Sequence, residues 1–157
     1  SLWAGMVLTK KLTDSVTPTP WRLQKRVLPQ HTDHAGVMWH GSYVAWLEEA
    51  RVEALVAAGL SYAEMTTLGV EMPVVSLKIN YRQALCHGDM VVLESISSLP
   101  VGVRWPWHCQ MLCNGQLMAD ASVELVMVSE GRVLRRPPDH LQVVMNRLRQ
   151  GPTIPDA

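Results

Sequence analysis

Fourteen residues, Gln30-His31-Thr32-Asp33-His34-Ala35-Gly36-Val37-Met38-Trp39-His40-Gly41-Ser42-Tyr43, hold one acid, three histidines and two glycines immediately ahead of a helical pattern. A helix N-terminus presents backbone N–H groups without carbonyl partners, at the positive end of the helix dipole. Such groups polarise a carbonyl and hold the oxyanion formed when it is attacked. A nearby carboxylate is then a nucleophile, or a base that activates water. Asp33 is the candidate carboxylate, and His40, seven residues on, is its candidate partner. Aspartate also favours turns, so Asp33 has a purely structural use as well. His31 and His34 are expected to be solvated loop histidines. The His-Thr-Asp-His run lacks a recognised metal-ligand spacing, so no metal is expected.

The elements that position this segment are read from periodicity. Residues 1–20 end in Thr17-Pro18-Thr19-Pro20 and are expected to form a loose leader, with the domain over 21–150 and a tail over 151–157. A first strand is expected over 21–29, and a helix over 41–58 with Tyr43, Leu47, Ala50, Ala54 and Ala58 on one stripe. On that helix Glu48 and Arg51, three apart, are expected to pair. A short helix follows over 62–67. Val75, Leu77, Ile79 and Tyr81 then alternate with Ser76, Lys78, Asn80 and Arg82, as in a half-buried strand. Further strands are expected over 90–98, through Val103, Trp105, Trp107, Cys109 and Met111, and from Leu117 to Met127, with Asn114-Gly115 as a hairpin turn. Pro106 marks its strand as an edge or a bulge, and a last helix is expected over 138–150. One long helix against a curled antiparallel sheet of about five strands, an α+β fold, buries the stripe in one domain.

Composition narrows the function. Fourteen basic and fourteen acidic residues among 157 cancel, leaving no overall field to attract nucleic acid or an anionic membrane. Any anionic ligand needs a local cluster, and Arg132, Arg135 and Arg136 are the favoured one, ahead of Lys78, Arg82 and Arg104. The chain has no Phe, six Trp and nine Met, types that serve large irregular pockets and cores alike. Cys86, Cys109 and Cys113 show no pairing pattern and point to a reducing cytoplasm. No apolar stretch is long enough to span a membrane.

The run Thr32-Asp33-x-x-Gly36-Val37-Met38-x-His40-x-x-Tyr43, with Trp46-Leu47-Glu48-x-Ala50-Arg51, resembles hotdog-fold thioesterases of the 4-hydroxybenzoyl-CoA thioesterase type. Within them it is most similar to the short-chain acyl-CoA branch associated with the Tol-Pal system. Ile79-Asn80-Tyr81-Arg82-Gln83-Ala84-x-x-x-Gly88-Asp89 resembles the family's second strand and turn, and the likeness spans about residues 22–136. The resemblance implies that Asp33 is the catalytic carboxylate and that His40 assists. It also implies that Trp39, Gly41 and Tyr43 contact the substrate, and that an N–H near the helix start polarises the thioester carbonyl. The substrate is then an acyl-CoA, coenzyme A being part of it, with no other cofactor, and the chain is a homodimer or homotetramer. Relatives often carry an acid where this chain has His31, and the short-chain branch a tyrosine where it has Pro29. Two alternatives keep the fold: a thioesterase acting on acyl carrier protein, and a non-catalytic acyl-CoA-binding module.

Overall fold

The computed structural model describes residues 18–152. The elements run β1 (Trp21–Arg26), α1 (His40–Ala57), α2 (Tyr62–Thr67), β2 (Val74–Tyr81), β3 (Met90–Ser97), β4 (Trp105–Cys113), β5 (Gln116–Leu125), β6 (Val128–Ser129), β7 (Arg132–Val133) and α3 (Asp139–Gln150). Five strands form one antiparallel sheet in the order β1-β3-β4-β5-β2. The expected leader and tail lie mostly outside the described residues.

The helix stripe is buried as its spacing requires. Tyr43, Leu47, Ala50, Ala54 and Ala58 are each under 5% exposed. The N-terminal half of α1 packs with Val27, Leu85, Val91, Leu93 and Met111, and the C-terminal half with Trp105, Trp107, Leu125 and the inner face of α3. Asn114 and Gly115 take φ of 51° and 76°, the left-handed pair that a two-residue hairpin between β4 and β5 demands. Trp21 Nε1 donates to Leu148 O at 2.8 Å, and a Cβ on Gly151 would stand 2.1 Å from Thr19 O. The two ends of the domain therefore lie against each other.

Two expectations need correction. Pro106 lies on an interior strand, paired with Glu124 of β5, and the register shift of β4 falls at Met111/Leu112. The proline is accommodated as the second residue of β4, where its missing N–H falls beyond the last residue of β3 paired with that strand. β2 is a sheet edge rather than a half-buried strand: Val74, Val75, Leu77 and Tyr81 are all more than 40% exposed. The hairpin β6–β7 was not foreseen; Glu130 and Gly131, at φ 51° and 75°, form its turn.

Candidate active site

Asp33 opens a tight loop. Its N–H donates to Val37 O (2.9 Å), its carbonyl accepts from Gly36 N–H (3.0 Å), and Thr32 bridges Met38 across the base. The carboxylate takes part, with Oδ1 accepting the N–H groups of Ala35 at 2.9 Å and Val37 at 3.1 Å. Oδ1 thus shapes the turn, the structural use foreseen for an aspartate here, while Oδ2 has no hydrogen-bond partner among the described residues. The side chain is exposed.

The loop rests on the segment between β2 and β3. Met38 N–H donates to Leu85 O at 2.8 Å, His87 N–H to Gly36 O at 2.9 Å, and Val37 pairs with Cys86. Leu85 also donates its N–H to the buried hydroxyl of Tyr43, whose pKa burial raises above its ordinary value. Asp120 of β5 anchors the same region from the other side. Its two oxygens accept from Asn80 Nδ2 and Arg82 Nε, each at 2.8 Å. Asp120 thus fixes Asn80 and Arg82, and Leu85 fixes Met38 and Tyr43, around the same region. Neither stood out in the sequence, because one is an ordinary strand residue and the other acts through its backbone.

α1 begins at His40. Trp39 N–H is taken by His31 O at 3.2 Å and Ser42 N–H by Trp39 O at 3.0 Å. The N–H groups of His40 and Gly41 have no carbonyl partner among the described residues. The Trp39 indole lies over Gly41, where a Cβ would stand 2.1 Å from Cη2, and contacts the His40 ring edge-on at 5.3 Å. A cleft of about 280 Å³ opens beside this turn, lined by Val37, Met38, His40, Tyr43, Tyr81, Arg82, Gln83 and Ala84. Tyr43 and Tyr81 meet edge-to-face at 4.9 Å across it.

The structure brings Asp33, Trp39, His40, Gly41 and Tyr43 to one end of the sheet. No hydrogen bond joins Asp33 to His40 among the described residues. His31 differs from expectation. It is half-buried, its Nδ1 accepts Leu28 N–H at 3.0 Å, and its ring meets Trp46 edge-on at 5.2 Å. It is a strut of the loop, whereas His34 is exposed as expected. Glu48 and Arg51 do not form the expected ion pair, since no N···O contact within 4.0 Å joins them among the described residues. Arg132, Arg135 and Arg136 follow the Leu125 end of β5, which pairs with Val74, whereas the cleft lies at Tyr81. Seven residues of β2 separate those ends, roughly 23 Å, so one chain does not bring the arginine cluster to Asp33.

A long helix on a five-stranded antiparallel sheet, with an aspartate loop ahead of the helix, is the hotdog thioesterase fold. The chain belongs to the thioesterase-like superfamily, which it matches over residues 27–148, and it is a thioester hydrolase. The Synechocystis sp. protein sll0410, which carries the name of an esterase, is 36% identical over 87% of this chain and 85% of its own length. The acyl-CoA thioesterase YbgC of Haemophilus influenzae is 27% identical over 69% of this chain and 80% of its own. The DHNA-CoA thioesterase of Staphylococcus aureus superimposes with a TM-score of 0.71 at 24% identity, covering 80% of this chain and 88% of that one.

Proposed function

We propose that the chain hydrolyses an acyl-CoA thioester to the free acid and CoA, using Asp33 at the entrance to α1. The observation that carries this is the division of labour within the Asp33 loop. Oδ1 is held by two backbone N–H groups, leaving Oδ2 fixed and free beside a helix start with two open N–H donors. The thioester carbonyl oxygen takes those donors, from His40 and Gly41. Oδ2 then takes a proton from the water that attacks the carbonyl carbon, or attacks that carbon itself to give a mixed anhydride that water cleaves, restoring the carboxylate. In either route the C–S bond breaks, CoA leaves as the thiolate, and the proton it takes up is the one the attacking water gives away. His40 orients the water or the thioester, Trp39 and Tyr43 shape the cleft, and coenzyme A is part of the substrate rather than a resident cofactor.

Names among the relatives favour an acyl-CoA, with both an acyl-CoA thioesterase and a DHNA-CoA thioesterase represented. The motif likeness to the Tol-Pal-associated branch belongs to this proposal too. So does a cytoplasmic location, where Cys86, Cys109 and Cys113 stay free thiols.

The proposal includes a homodimer, alone or paired into a homotetramer. The two sheet edges differ: β1 turns Arg22, Gln24 and Arg26 to solvent, while β2 exposes Val74, Val75, Leu77 and Tyr81. Charged edges resist strand addition and apolar ones invite it, so β2 is the pairing edge. A partner on β2 would stand beside the cleft, and through it Arg132, Arg135 and Arg136 of another copy would meet the CoA phosphates. The deciding experiment is steady-state hydrolysis of a panel of acyl-CoA thioesters, aromatic and aliphatic, by the purified protein. Thiol release with at least one of them supports the reading, and no release with any of them removes it.

A further inference from the structure

Ser42 is the third residue of α1 and is 6% exposed. A serine inside a helix commonly turns its hydroxyl back to the carbonyl four residues earlier. Here the hydroxyl leaves the helix instead: Oγ donates to His31 O at 3.0 Å, eleven residues away in sequence. The same carbonyl takes the N–H of Trp39 at 3.2 Å. Two donors of the helix start, one on each side of His40 and Gly41, therefore converge on a single oxygen at the base of the Asp33 loop. That oxygen is a firm anchor. His31 N–H donates to Leu28 O at 2.9 Å, its Nδ1 accepts Leu28 N–H at 3.0 Å, and its ring meets Trp46 at 5.2 Å. Asp33, by contrast, is bonded within its own turn, through Oδ1 to Ala35 and Val37 and through its backbone to Gly36 and Val37. Its spacing from the first-turn N–H groups is thus set by what ties the loop to the helix. Pairing of Thr32 with Met38 and of Met38 with Leu85 holds one side of the loop, and the bonds to His31 O hold the other. Ser42 directly follows Gly41, and His31 precedes Asp33 by two residues, at most about 7 Å of chain. The Ser42 bond lies within one chain and beneath its surface, so pairing of copies along β2 neither makes nor breaks it, and neither of its partners is charged.

We infer that Ser42 is a positioning residue for hydrolysis, its hydroxyl holding the first turn of α1 in fixed relation to the Asp33 loop. It acts through Asp33 and through the N–H groups of His40 and Gly41, not on the substrate. A catalytic constellation has to be held to within about 0.5 Å, and a misplacement of about 1 Å costs on the order of 10²-fold in rate. This rests on the thioesterase reading above and adds a residue on which its geometry depends.

The test measures kcat, KM and melting temperature for wild type, Ser42→Ala and Ser42→Thr, with whichever acyl-CoA the wild type turns over fastest. In Ser42→Ala the His31 carbonyl keeps the Trp39 N–H, so the variant should fold and melt close to wild type. Its kcat should fall about tenfold or more while KM stays within about twofold, because lost alignment weakens the transition state more than binding. Ser42→Thr keeps the hydroxyl and should recover most of kcat. If the added methyl destabilises Ser42→Thr, the kcat of Ser42→Ala decides alone. A Ser42→Ala enzyme with wild-type kcat per folded molecule overturns the inference, whatever its melting temperature, and leaves the bond a matter of stability. A raised KM at unchanged kcat overturns it as well, by giving Ser42 a substrate contact. So does a Ser42→Thr enzyme that melts like wild type yet is as slow as Ser42→Ala. Those three results leave the hydrolase intact, whereas a wild type that cleaves no acyl-CoA removes both readings together.

Discussion

Asp33 Oδ1 receives the N–H of Val37 at 3.1 Å, and Val37 is itself a wall of the cleft that His40 lines. The carboxylate that builds the loop is therefore bonded directly to a residue of the cleft wall, and the proposed reaction gives it a second use there. Two substitutions separate those uses. Asp33→Asn keeps an acceptor for Ala35 and Val37 but loses the charge. It should fold with little change in melting temperature and lose at least ~10²-fold in kcat. Asp33→Ala should lose the same activity and also about 1–2 kcal/mol of stability, because two turn N–H groups lose their acceptor. An active Asp33→Asn would take the residue out of the chemistry.

For His40 the discriminating measurement pairs kinetics with melting temperature. The ring is exposed, so removing it takes little from the core. His40→Ala is expected to lower kcat substantially while KM moves little, since contacts made only in the transition state raise turnover rather than binding. A variant that melts earlier yet turns over normally per folded molecule would make the side chain a part of the scaffold.

Gly41 provides a steric test. A methyl there would collide with the Trp39 indole, with Cη2 only 2.1 Å from the new Cβ. The indole is half-exposed and has room to swing away, so Gly41→Ala should fold. Trp39 would move from the first turn of α1, and activity should fall through a higher KM. An unaltered KM would show that the packing of Trp39 on Gly41 does not concern substrate.

The cysteines predict a titration. Cys86 is exposed while Cys109 and Cys113 are buried, and burial pushes the Cys109 thiol up to about 12. Because the thiolate is the reactive form, a disulfide reagent at pH 8 should modify Cys86 alone until the protein is unfolded. The sign of the coupling to stability follows. The unfolded chain releases the Cys109 proton near pH 9 and the folded one only near 12, so stability falls as pH rises through that window. Cys109→Ala should flatten that slope. Rapid reaction of more than one thiol in the native protein would contradict this burial.

The exposed apolar edge predicts association. Light scattering at micromolar concentration should give a dimer or tetramer. Leu77→Lys, which puts a charge on the β2 edge, should shift it toward monomer and lower activity if the site spans two chains. A fully active monomer would end the proposal of a shared site.

Much of this architecture was readable from one sequence, for identifiable reasons. The stripe from Tyr43 to Ala58 and the Asn114-Gly115 turn are local signals, and the fold uses them as their spacing dictates. Pro106 misled because its effect depends on where the neighbouring strand stops, which no window around residue 106 contains. The exposure of Leu77 and Tyr81 was hidden for a related reason: alternation reveals a strand but not whether it ends the sheet. At the site, type and spacing singled out Asp33 and His40, which the structure places on the loop and at the first residue of α1. The packing of His31 on Trp46 was not, because it depends on how the loop folds onto α1 fifteen residues away. The bond from Leu85 to Tyr43 was equally hidden, since a backbone donor leaves no mark in residue type.

The contact between Trp21 and Leu148, with Gly151 pressed against Thr19, makes the domain a closed loop in space although it is open in sequence. Chains whose ends meet tolerate being cut elsewhere and rejoined. A circular permutant that joins residue 151 to residue 19 by a short glycine-rich bridge, with new termini at the exposed Glu130-Gly131 turn, should therefore keep the sheet order and the Asp33 loop intact. The same adjacency suits this unit to insertion as a cassette within a surface loop of another protein, because its host would have to span almost no gap.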